Sequence, residues 1–233
     1  MLEKVEFSDC ATPIVLVLKP DGTVRTCCDY NVTINPAMDV PKYPMPTVEE
    51  LFTPLNGGEK FSKLDLSSAY QQVLLDEESK QYVTINTHLG LFRDTRLPFG
   101  RAANPAIFKQ TMDSIMGGLN GIGGILHDLI VTGSNDVEYL CNLENTLKRF
   151  DSMGVKLKGL KCVFMKTLCK YFAFVVGRHG IHPSPRKLQA IQEFPEPQNG
   201  TELKTFLGLV NYHRKFIPNM STVVNPLNRL LTF

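Results

Sequence analysis

Short apolar runs bounded by turn residues recur along the chain, and they predict strands. The clearest are IVLVL (14–18), FSKLDL (61–66), YVTINT (82–87), ILHDLIV (125–131), VKLKGLKCVFM (155–165) and YFAFVVG (171–177). Two of these runs sit beside turn sequences. PDGT lies between IVLVL and the returning VRTCCDY, and HLG lies between YVTINT and LFRDTRLPFG, so each pair predicts a hairpin.

Apolar residues spaced three and four apart predict helices between these strands. The helical segments are PTVEELFTPL (46–55), a helix from Asn104 to about Met116, another from about Asp136 to Met153, and PRKLQAIQEF (185–194) and ELKTFLGLVNYHRKF (202–216) in the tail. Asn104 is expected to cap the helix that begins there, and Gly154 to end the helix that runs from about Asp136 to Met153. NPAMDVPKYPMP (35–46) is too rich in proline for a regular element. Strands and helices alternate irregularly, which indicates a mixed α/β (α+β) sheet fold and not a doubly wound one.

The composition is that of a globular protein. The chain has 233 residues, 43% hydrophobic and 21% charged, enough for one large domain or two small ones. No apolar run approaches the ~18 residues of a membrane span, and the start MLEKVEFSDC is unlike a secretory signal. The six cysteines form no CxxC pair. We therefore expect an intracellular protein, cytoplasmic or nuclear, with reduced thiols and no membrane association.

Positive charge is concentrated in one part of the chain. Residues 148–187 contain ten Lys or Arg against the single acid Asp151, whereas residues 1–147 contain 11 bases against 19 acids. Such a basic segment is typical of a surface that meets a polyanion, and equally of a solvated lysine-rich face. His179 and His182 have the spacing HxxH, but no further ligands accompany them, which favours a surface loop over a zinc site.

Two isolated acids interrupt apolar strands: Asp65 in FSKLDL and Asp128 in LHDLIV. A carboxylate within an apolar strand is costly unless it is paired or binds a metal. If the two strands are neighbours, the carboxylates converge, and converging carboxylates with a phosphate are a common Mg²⁺ site. The alternative is that both acids only accept hydrogen bonds from loop backbone.

Six ordered blocks of the chain resemble the reverse transcriptase of gypsy-type LTR retrotransposons. They are EFSDCATPIVLVLKPDGTVRTCCDY, FSKLDLSSAYQQV, RLPFGRAANPAIFKQTMDSIM, the hairpin ILHD with its VTG, LKGLKCVFM, and FLGLVNYHRKFIPNMSTVVNPLNRLL. The resemblance implies a right-hand polymerase fold with fingers, a ferredoxin-like palm and the start of the thumb or connection. Residues 1–180 would form fingers and palm, with the fingers at about 1–60 and 77–100, and 181–233 the thumb or connection helices. No RNase H segment is expected here.

The resemblance also implies partners and roles. The partners would be an RNA or DNA primer–template and a deoxynucleoside triphosphate, and the chain would belong to a longer Pol polyprotein. Two Mg²⁺ ions would bind at Asp65, with the backbone at Leu66 beside it, and at Asp128. Lys156, Lys158 and Lys161 would contact nucleic acid. Lys161 also resembles a palm lysine proposed to protonate pyrophosphate, although it is equally a plain surface lysine.

Further residues resemble the family's nucleotide-binding groups. Lys19 and Arg25 resemble the fingers cations that hold the triphosphate. Tyr70 resembles the aromatic gate that clashes with a ribose 2′-hydroxyl, and its alternative role is core packing. Phe99 and Gly100 resemble the floor beneath the nucleotide.

The hairpin departs from the family pattern Tyr-x-Asp-Asp. This chain reads Ile125, Leu126, His127, Asp128, so a histidine stands where the first aspartate of the pair is expected. Imidazole is a poor Mg²⁺ ligand, although Mn²⁺ or Zn²⁺ accepts it. We therefore expect an RNA-directed DNA polymerase (nucleotidyltransferase) by family with lost or impaired activity. The alternatives are a non-catalytic nucleic-acid-binding module and an inactive relic. Gly123 and Gly124 replace the usual β-branched residues and are expected to loosen the hairpin.

Overall fold

The computed structural model describes residues 2–18 and 22–231. Its strands are β1 (Leu2–Val5), β2 (Thr12–Leu18), β3 (Val24–Cys28), β4 (Lys60–Asp65), β5 (Thr84–Thr87), β6 (Gly90–Asp94), β7 (Ile122–Ile125), β8 (Asp128–Gly133), β9 (Val163–Lys166), β10 (Leu168–Tyr171), β11 (Phe174–Gly177) and β12 (Gly180–Pro183). Its α-helices are α1 (Val48–Phe52), α2 (Glu77–Lys80), α3 (Asn104–Met116), α4 (Asp136–Ser152), α5 (Pro185–Gln192), α6 (Gly200–Tyr212) and α7 (Met220–Arg229).

A four-stranded antiparallel sheet in the order β7-β8-β4-β9 forms the centre of the molecule. Its two faces bury different side chains because successive residues of a strand point to opposite sides. Leu64 and Leu129 face α3 and α4, where Phe108 and Phe150 complete a buried core. The helices therefore cover one side of β7, β8 and β4.

The opposite face of the central sheet packs against a second layer. Phe61 and Ile130 contact α1 and the three-stranded sheet β10-β11-β12. Phe52 of α1 meets Tyr171 and Phe174 edge to face, with ring centroids 5.9 and 5.5 Å apart. Aromatic pairs of this kind add to the burial of their area. Strands β7, β8 and β4 of the central sheet are thus largely buried, whereas the edge strand β9 is exposed.

A five-stranded sheet in the order β1-β6-β5-β2-β3 lies toward the N-terminus. All its pairs are antiparallel except β2 with β5. Its outer hairpin β2–β3 leaves Leu16 and Leu18 more than 60% exposed. The hairpin expected around PDGT is present, although residues 19–21 lie outside the described part of the chain.

Local sequence signals account for the helix ends. The Asn135 side chain accepts a hydrogen bond from the Glu138 N–H, which caps α4, and Gly154 with φ of 69° follows its end. The expectation that Asn104 caps α3 is wrong. Ala103 holds the cap position without a side-chain bond, and Asn104 is the first helical residue, its buried amide donating to the Pro98 carbonyl.

Three further expectations from the pattern are corrected. Residues 155–162 are not strand, because the chain forms a 3₁₀ turn at Gly159–Lys161 before β9. YFAFVVG is not one strand, because Phe172, with φ of 53°, reverses the chain and Tyr171 pairs with Phe174. His182 lies in β12 and not in a loop. The tail contains a third helix, α7.

None of the helices in the described ranges is long and apolar enough to cross a membrane.

Candidate active site

The antiparallel pairing of β4 with β8 places Asp65 directly opposite Asp128. Directly paired residues point to the same face of a sheet. The two strands, whose adjacency the sequence pattern left open, are therefore neighbours, and their isolated acids lie at the same end of the central sheet. Asp65 is the last residue of β4 and Asp128 the first of β8.

A two-residue turn of Leu126 and His127 connects β7 to β8. Leu126 has φ of 52°, a left-handed conformation that costs a non-glycine residue roughly 1–2 kcal/mol. Its side chain is partly buried against the α3–α4 core. The His127 carbonyl accepts a hydrogen bond of 3.1 Å from the Leu66 N–H. The turn is thus anchored to the residue after β4, while the His127 side chain is exposed.

The carboxylate of Asp128 is engaged by a lysine. Lys63 Nζ lies 2.9 Å from Asp128 Oδ1, and the two side chains are 25% and 19% exposed. The Asp128 carbonyl accepts a 2.9 Å hydrogen bond from the Tyr171 hydroxyl. Burial raises the pKa of Tyr171 and keeps it protonated as a donor. Sequence reasoning missed Lys63, although its place two residues before Asp65 puts it on the same strand face.

A cavity of about 710 Å³ opens beside Asp65. Its lining includes seven residues that the sequence marks as metal, catalytic, nucleotide-binding or nucleic-acid-binding candidates: Asp65, Leu66, Tyr70, Phe99, His127, Lys158 and Lys161. Neither Asp128, Gly100 nor Lys156 is part of this lining. Lys19 and the side chain of Arg25 lie outside the described part of the chain, so their expected contacts with a triphosphate are not described.

The aromatic wall of the cavity also belongs to the core. Tyr70 meets Phe99 and Phe108 edge to face at centroid distances of 5.4 and 5.3 Å. Burial raises the pKa of its hydroxyl. Tyr70 therefore packs in the core and also lines the cavity. Gly100 is required by the local backbone: its φ is 100°, and an added Cβ would lie 2.8 Å from the Cys28 carbonyl oxygen.

Main-chain hydrogen bonds tie the lysine-rich segment 156–161 to the strand that ends at Asp65. The Lys158 N–H donates to the Asp65 carbonyl at 2.8 Å, and the Ser67 N–H donates to the Lys156 carbonyl at 2.9 Å. The Gln72 side chain accepts from the Lys156 N–H at 2.7 Å and donates to the Ser67 and Lys156 carbonyls at 2.6 and 2.9 Å. Gln72 was missed by the sequence analysis, and no motif marked it.

The two glycines before the turn pack tightly, which contradicts the expectation that they loosen the hairpin. Both are buried. A Cβ added at Gly124 would lie 2.5 Å from Leu129 Cδ2 and 2.7 Å from the Asp128 carbonyl oxygen. A Cβ at Gly123 would lie 3.0 Å from the Leu51 carbonyl oxygen. The glycines allow close approach between β7 and its neighbours, because no side chain fits there.

The family model described as reverse transcriptase (RNA-dependent DNA polymerase) matches residues 17–176. Because this match covers more than half of the sequence, the chain belongs to the reverse transcriptase family. The resemblance to a retrotransposon reverse transcriptase domain is thereby confirmed.

Two curated relatives share most of the chain. Protein K02A2.6 of Caenorhabditis elegans, described as uncharacterized, is 33% identical over 210 residues, which is 89% of this chain and 16% of that protein. The Transposon Tf2-3 polyprotein of Schizosaccharomyces pombe is 28% identical over 223 residues, which is 95% of this chain and 17% of the polyprotein. The chain thus spans about a sixth of the length of these relatives.

Solved structures confirm the expected polymerase fold. The foamy viral protease-reverse transcriptase dRH in complex with double-stranded DNA superposes with a TM-score of 0.84 at 26% identity, covering 99% of this chain and 40% of that one. The foamy viral enzyme in complex with an RNA/DNA hybrid gives a TM-score of 0.78 at 25% identity, covering 99% and 31%.

Reverse transcriptases generally use divalent metal ions. The residues of this chain do not fit the pair of ions that the resemblance implies. His127 offers a neutral nitrogen where an oxygen anion is needed, and the Asp128 carboxylate is engaged by the Lys63 ammonium. Across residues 2–18 and 22–231, no three His, Cys, Asp or Glu side chains form a group able to hold a metal. Among the described residues that line the cavity, Asp65 is the single carboxylate.

Proposed function

We propose that this chain is a reverse transcriptase domain that binds primer–template while its RNA-directed DNA synthesis is lost or strongly impaired. One observation carries the proposal: His127 lines the cavity beside Asp65, at the hairpin position where the family has an aspartate. The fold is that of a reverse transcriptase. The group that changed is a charged one at the centre of the site.

The expected loss follows from charge. Phosphoryl transfer develops negative charge on a triphosphate and depends on fixed cations held by carboxylates. Replacing one carboxylate by a neutral ring removes that support. The cost is about 4 kcal/mol or more of transition-state stabilisation, and each ~1.4 kcal/mol lowers the rate tenfold. Asp65 would then be the remaining carboxylate at the reacting end, with Asp128 held to one side by Lys63.

The nucleotide site in this proposal is the cavity lined by Tyr70 and Phe99. Tyr70 would restrict the space for a ribose 2′-hydroxyl, and Phe99 with Gly100 would lie beneath the nucleotide. Lys161 would stand near the pyrophosphate, and Lys19 and Arg25 would approach from the β2–β3 hairpin. In this assignment residues 1–180 are fingers and palm, with the fingers at about 1–60 and 77–100, and 181–233 begin the thumb or connection of a longer polyprotein.

Primer extension tests the impairment. The parent chain and the His127→Asp variant are compared on an RNA template with a DNA primer, Mg²⁺ and deoxynucleoside triphosphates. We expect the variant to extend the primer at least about a hundredfold faster than the parent. A His127→Asp, Asp65→Asn double variant serves as the inactive control. Equal, Asp65-dependent extension by parent and revertant would show that the histidine does not impair synthesis.

The second candidate function is nucleic-acid binding without catalysis. The lysine-rich segment 156–161 favours it, and the foamy viral relatives were solved with double-stranded DNA and with an RNA/DNA hybrid. Lysine–phosphate contacts release counterions, so binding should weaken steeply with salt. Replacing Lys156, Lys158 and Lys161 with Gln should lower the slope of log affinity against log salt by about 0.9 for each lysine that had neutralised a phosphate. Absence of duplex binding at low salt would favour the third alternative, an inactive relic.

A further inference from the structure

The balance of charge in the cavity is opposite to what a site for two metal ions requires. Of the charged residues in its described lining, two are cations, Lys158 and Lys161, and one is a carboxylate, Asp65. His127 adds no fixed negative charge, and Asp128 is paired with Lys63 outside the lining. A cavity with two cations and one anion attracts a polyanion directly.

The backbone of these two lysines is fixed to the framework of the site. Lys158 donates its N–H to the Asp65 carbonyl at 2.8 Å, and the Lys161 N–H donates to the Lys158 carbonyl at 2.8 Å. Leu157 forms a bridge with Leu66. The segment therefore does not need to order its main chain when a ligand arrives, which lowers the entropic cost of binding.

The remaining lining suits the non-phosphate part of a nucleotide. Tyr70, Phe99 and Leu66 present aromatic and aliphatic surface, and the volume of about 710 Å³ lies within the ordinary range for small-molecule sites. An aromatic wall on one side and ammonium groups on the other match a base or sugar joined to a phosphate chain.

We propose that this cavity binds a nucleoside triphosphate through Lys158 and Lys161 without a divalent cation. The proposal rests on the proposed function, because it takes the nucleotide cavity of the family as its site. In a site with two carboxylates, a triphosphate must bring cations to offset repulsion between like charges. Here that repulsion is halved and opposed by two ammonium groups, so the ligand remains bound when divalent metal is removed.

Equilibrium binding of deoxythymidine triphosphate to the protein, measured by calorimetry with EDTA and then with Mg²⁺, tests this. We expect the two dissociation constants to agree within about threefold. Lys158→Gln and Lys161→Gln should each weaken binding in EDTA about tenfold, as removal of a charge-assisted hydrogen bond does. Lys170→Gln is the matched control, because Lys170 is an exposed lysine of β10 away from the cavity, and it should bind as the parent does.

The His127→Asp variant provides the reciprocal test. It restores a second carboxylate, so we expect deoxythymidine triphosphate binding in EDTA to fall at least about tenfold and to recover with Mg²⁺. Tripolyphosphate should compete with the nucleotide, and thymidine should not, if phosphate supplies the main contacts. Both lysine variants change exposed side chains, so their folding can be verified by thermal unfolding before binding is compared.

Several outcomes would overturn the proposal. One is triphosphate binding by the parent that requires Mg²⁺. Another is triphosphate binding by the Lys158 and Lys161 variants that equals binding by Lys170→Gln. A third is binding in EDTA of a short single-stranded oligonucleotide but not of the triphosphate. These results are independent of primer extension. A parent that polymerises efficiently refutes the proposed impairment, whereas a parent that neither polymerises nor binds the triphosphate in EDTA refutes only this inference.

Discussion

Lys63 Nζ and Asp128 Oδ1 lie 2.9 Å apart across β4 and β8, on the strand face that also carries Asp65. Lys63 pairs directly with Ile130, so Asp128 is its diagonal neighbour, a spacing that long side chains reach. The lysine neutralises the acid that the altered hairpin retains. The active-site end of the central sheet therefore has one carboxylate free for other partners and one already compensated.

Breaking this pair should cost stability. Removing either partner leaves a mostly buried charge without compensation. In a double-mutant cycle with Lys63→Met and Asp128→Asn, we expect a coupling of about 1–2 kcal/mol in the free energy of unfolding, measured by urea denaturation. The matched control is the pair Glu144–Lys148 on α4, whose side chains are 65% and 71% exposed. Its coupling should be about 0–0.5 kcal/mol. Equal coupling in the two pairs would mean that the Lys63–Asp128 contact is not held in solution.

Substituting Gly124 should destabilise the hairpin beside the active site. An alanine Cβ would lie 2.7 Å from the Asp128 carbonyl oxygen and 2.9 Å from Leu129 Cα, both of them backbone atoms that can move only with β8. We expect Gly124→Ala to lower the free energy of unfolding by about 1–3 kcal/mol. Gly159→Ala is the control, since nothing lies within 4 Å of its added Cβ. A thermal midpoint for Gly124→Ala equal to that of the control would contradict the packing described.

The sequence was sufficient to predict the parts of the site that depend on strand pattern. Asp65 and Asp128 each interrupt an apolar strand, which marked both acids, and the structure supplies the pairing that the pattern left open. The turn of Leu126 and His127 divides the run ILHDLIV, which the apolar pattern predicts as one strand. Hairpins with turn residues of their own, such as the one around HLG, were also predicted, because glycine and polar residues mark the reversal.

Features set by long-range contacts could not be predicted in this way. The reversal at Phe172 has an aromatic residue at positive φ and no turn signal, so an apolar run was read as one strand. Segment 155–162 alternates like a strand, but its main chain bonds to Asp65 and Gln72 and not to a continuous neighbour. Gln72 acts on a residue 84 positions away, and no local pattern encodes such a partner.

Gln72 should control the order of the lysine-rich segment. Its side chain accepts from the Lys156 N–H at 2.7 Å and donates to the Ser67 and Lys156 carbonyls, so replacing it removes all three hydrogen bonds. We expect Gln72→Met to speed amide hydrogen exchange of Lys156 about tenfold, because the free energy of local opening falls by about 1–1.5 kcal/mol. Gln71→Met, the neighbouring exposed glutamine, should leave that amide unchanged. Unchanged exchange at Lys156 in the Gln72 variant would show that this hydrogen bond contributes nothing to the segment.

His213 should make the stability of the chain dependent on pH. It is 2% exposed, and neither ring nitrogen has a hydrogen-bond partner within the described part of the chain. Burial, followed by the nearby Lys187 and Lys215, lowers its pKa below the ordinary value of 6.5. Below about that pH the unfolded chain takes up a proton that the folded chain refuses, so the free energy of unfolding falls as the pH is lowered.

The His213→Phe variant isolates this effect. Phenylalanine fills similar space without buried nitrogens, so we expect the thermal midpoint of the variant to exceed that of the parent. The difference should grow as the pH falls from about 7 toward about 5, because histidine ordinarily changes its charge between about pH 5 and 8. Asp94, whose pKa is raised by burial to about 6, acts in the opposite sense between its unfolded value and that pH. Because Asp94 is present in both chains, it cancels in the comparison. A difference that does not change with pH would mean that His213 accepts its proton as readily in the folded chain as in the unfolded one.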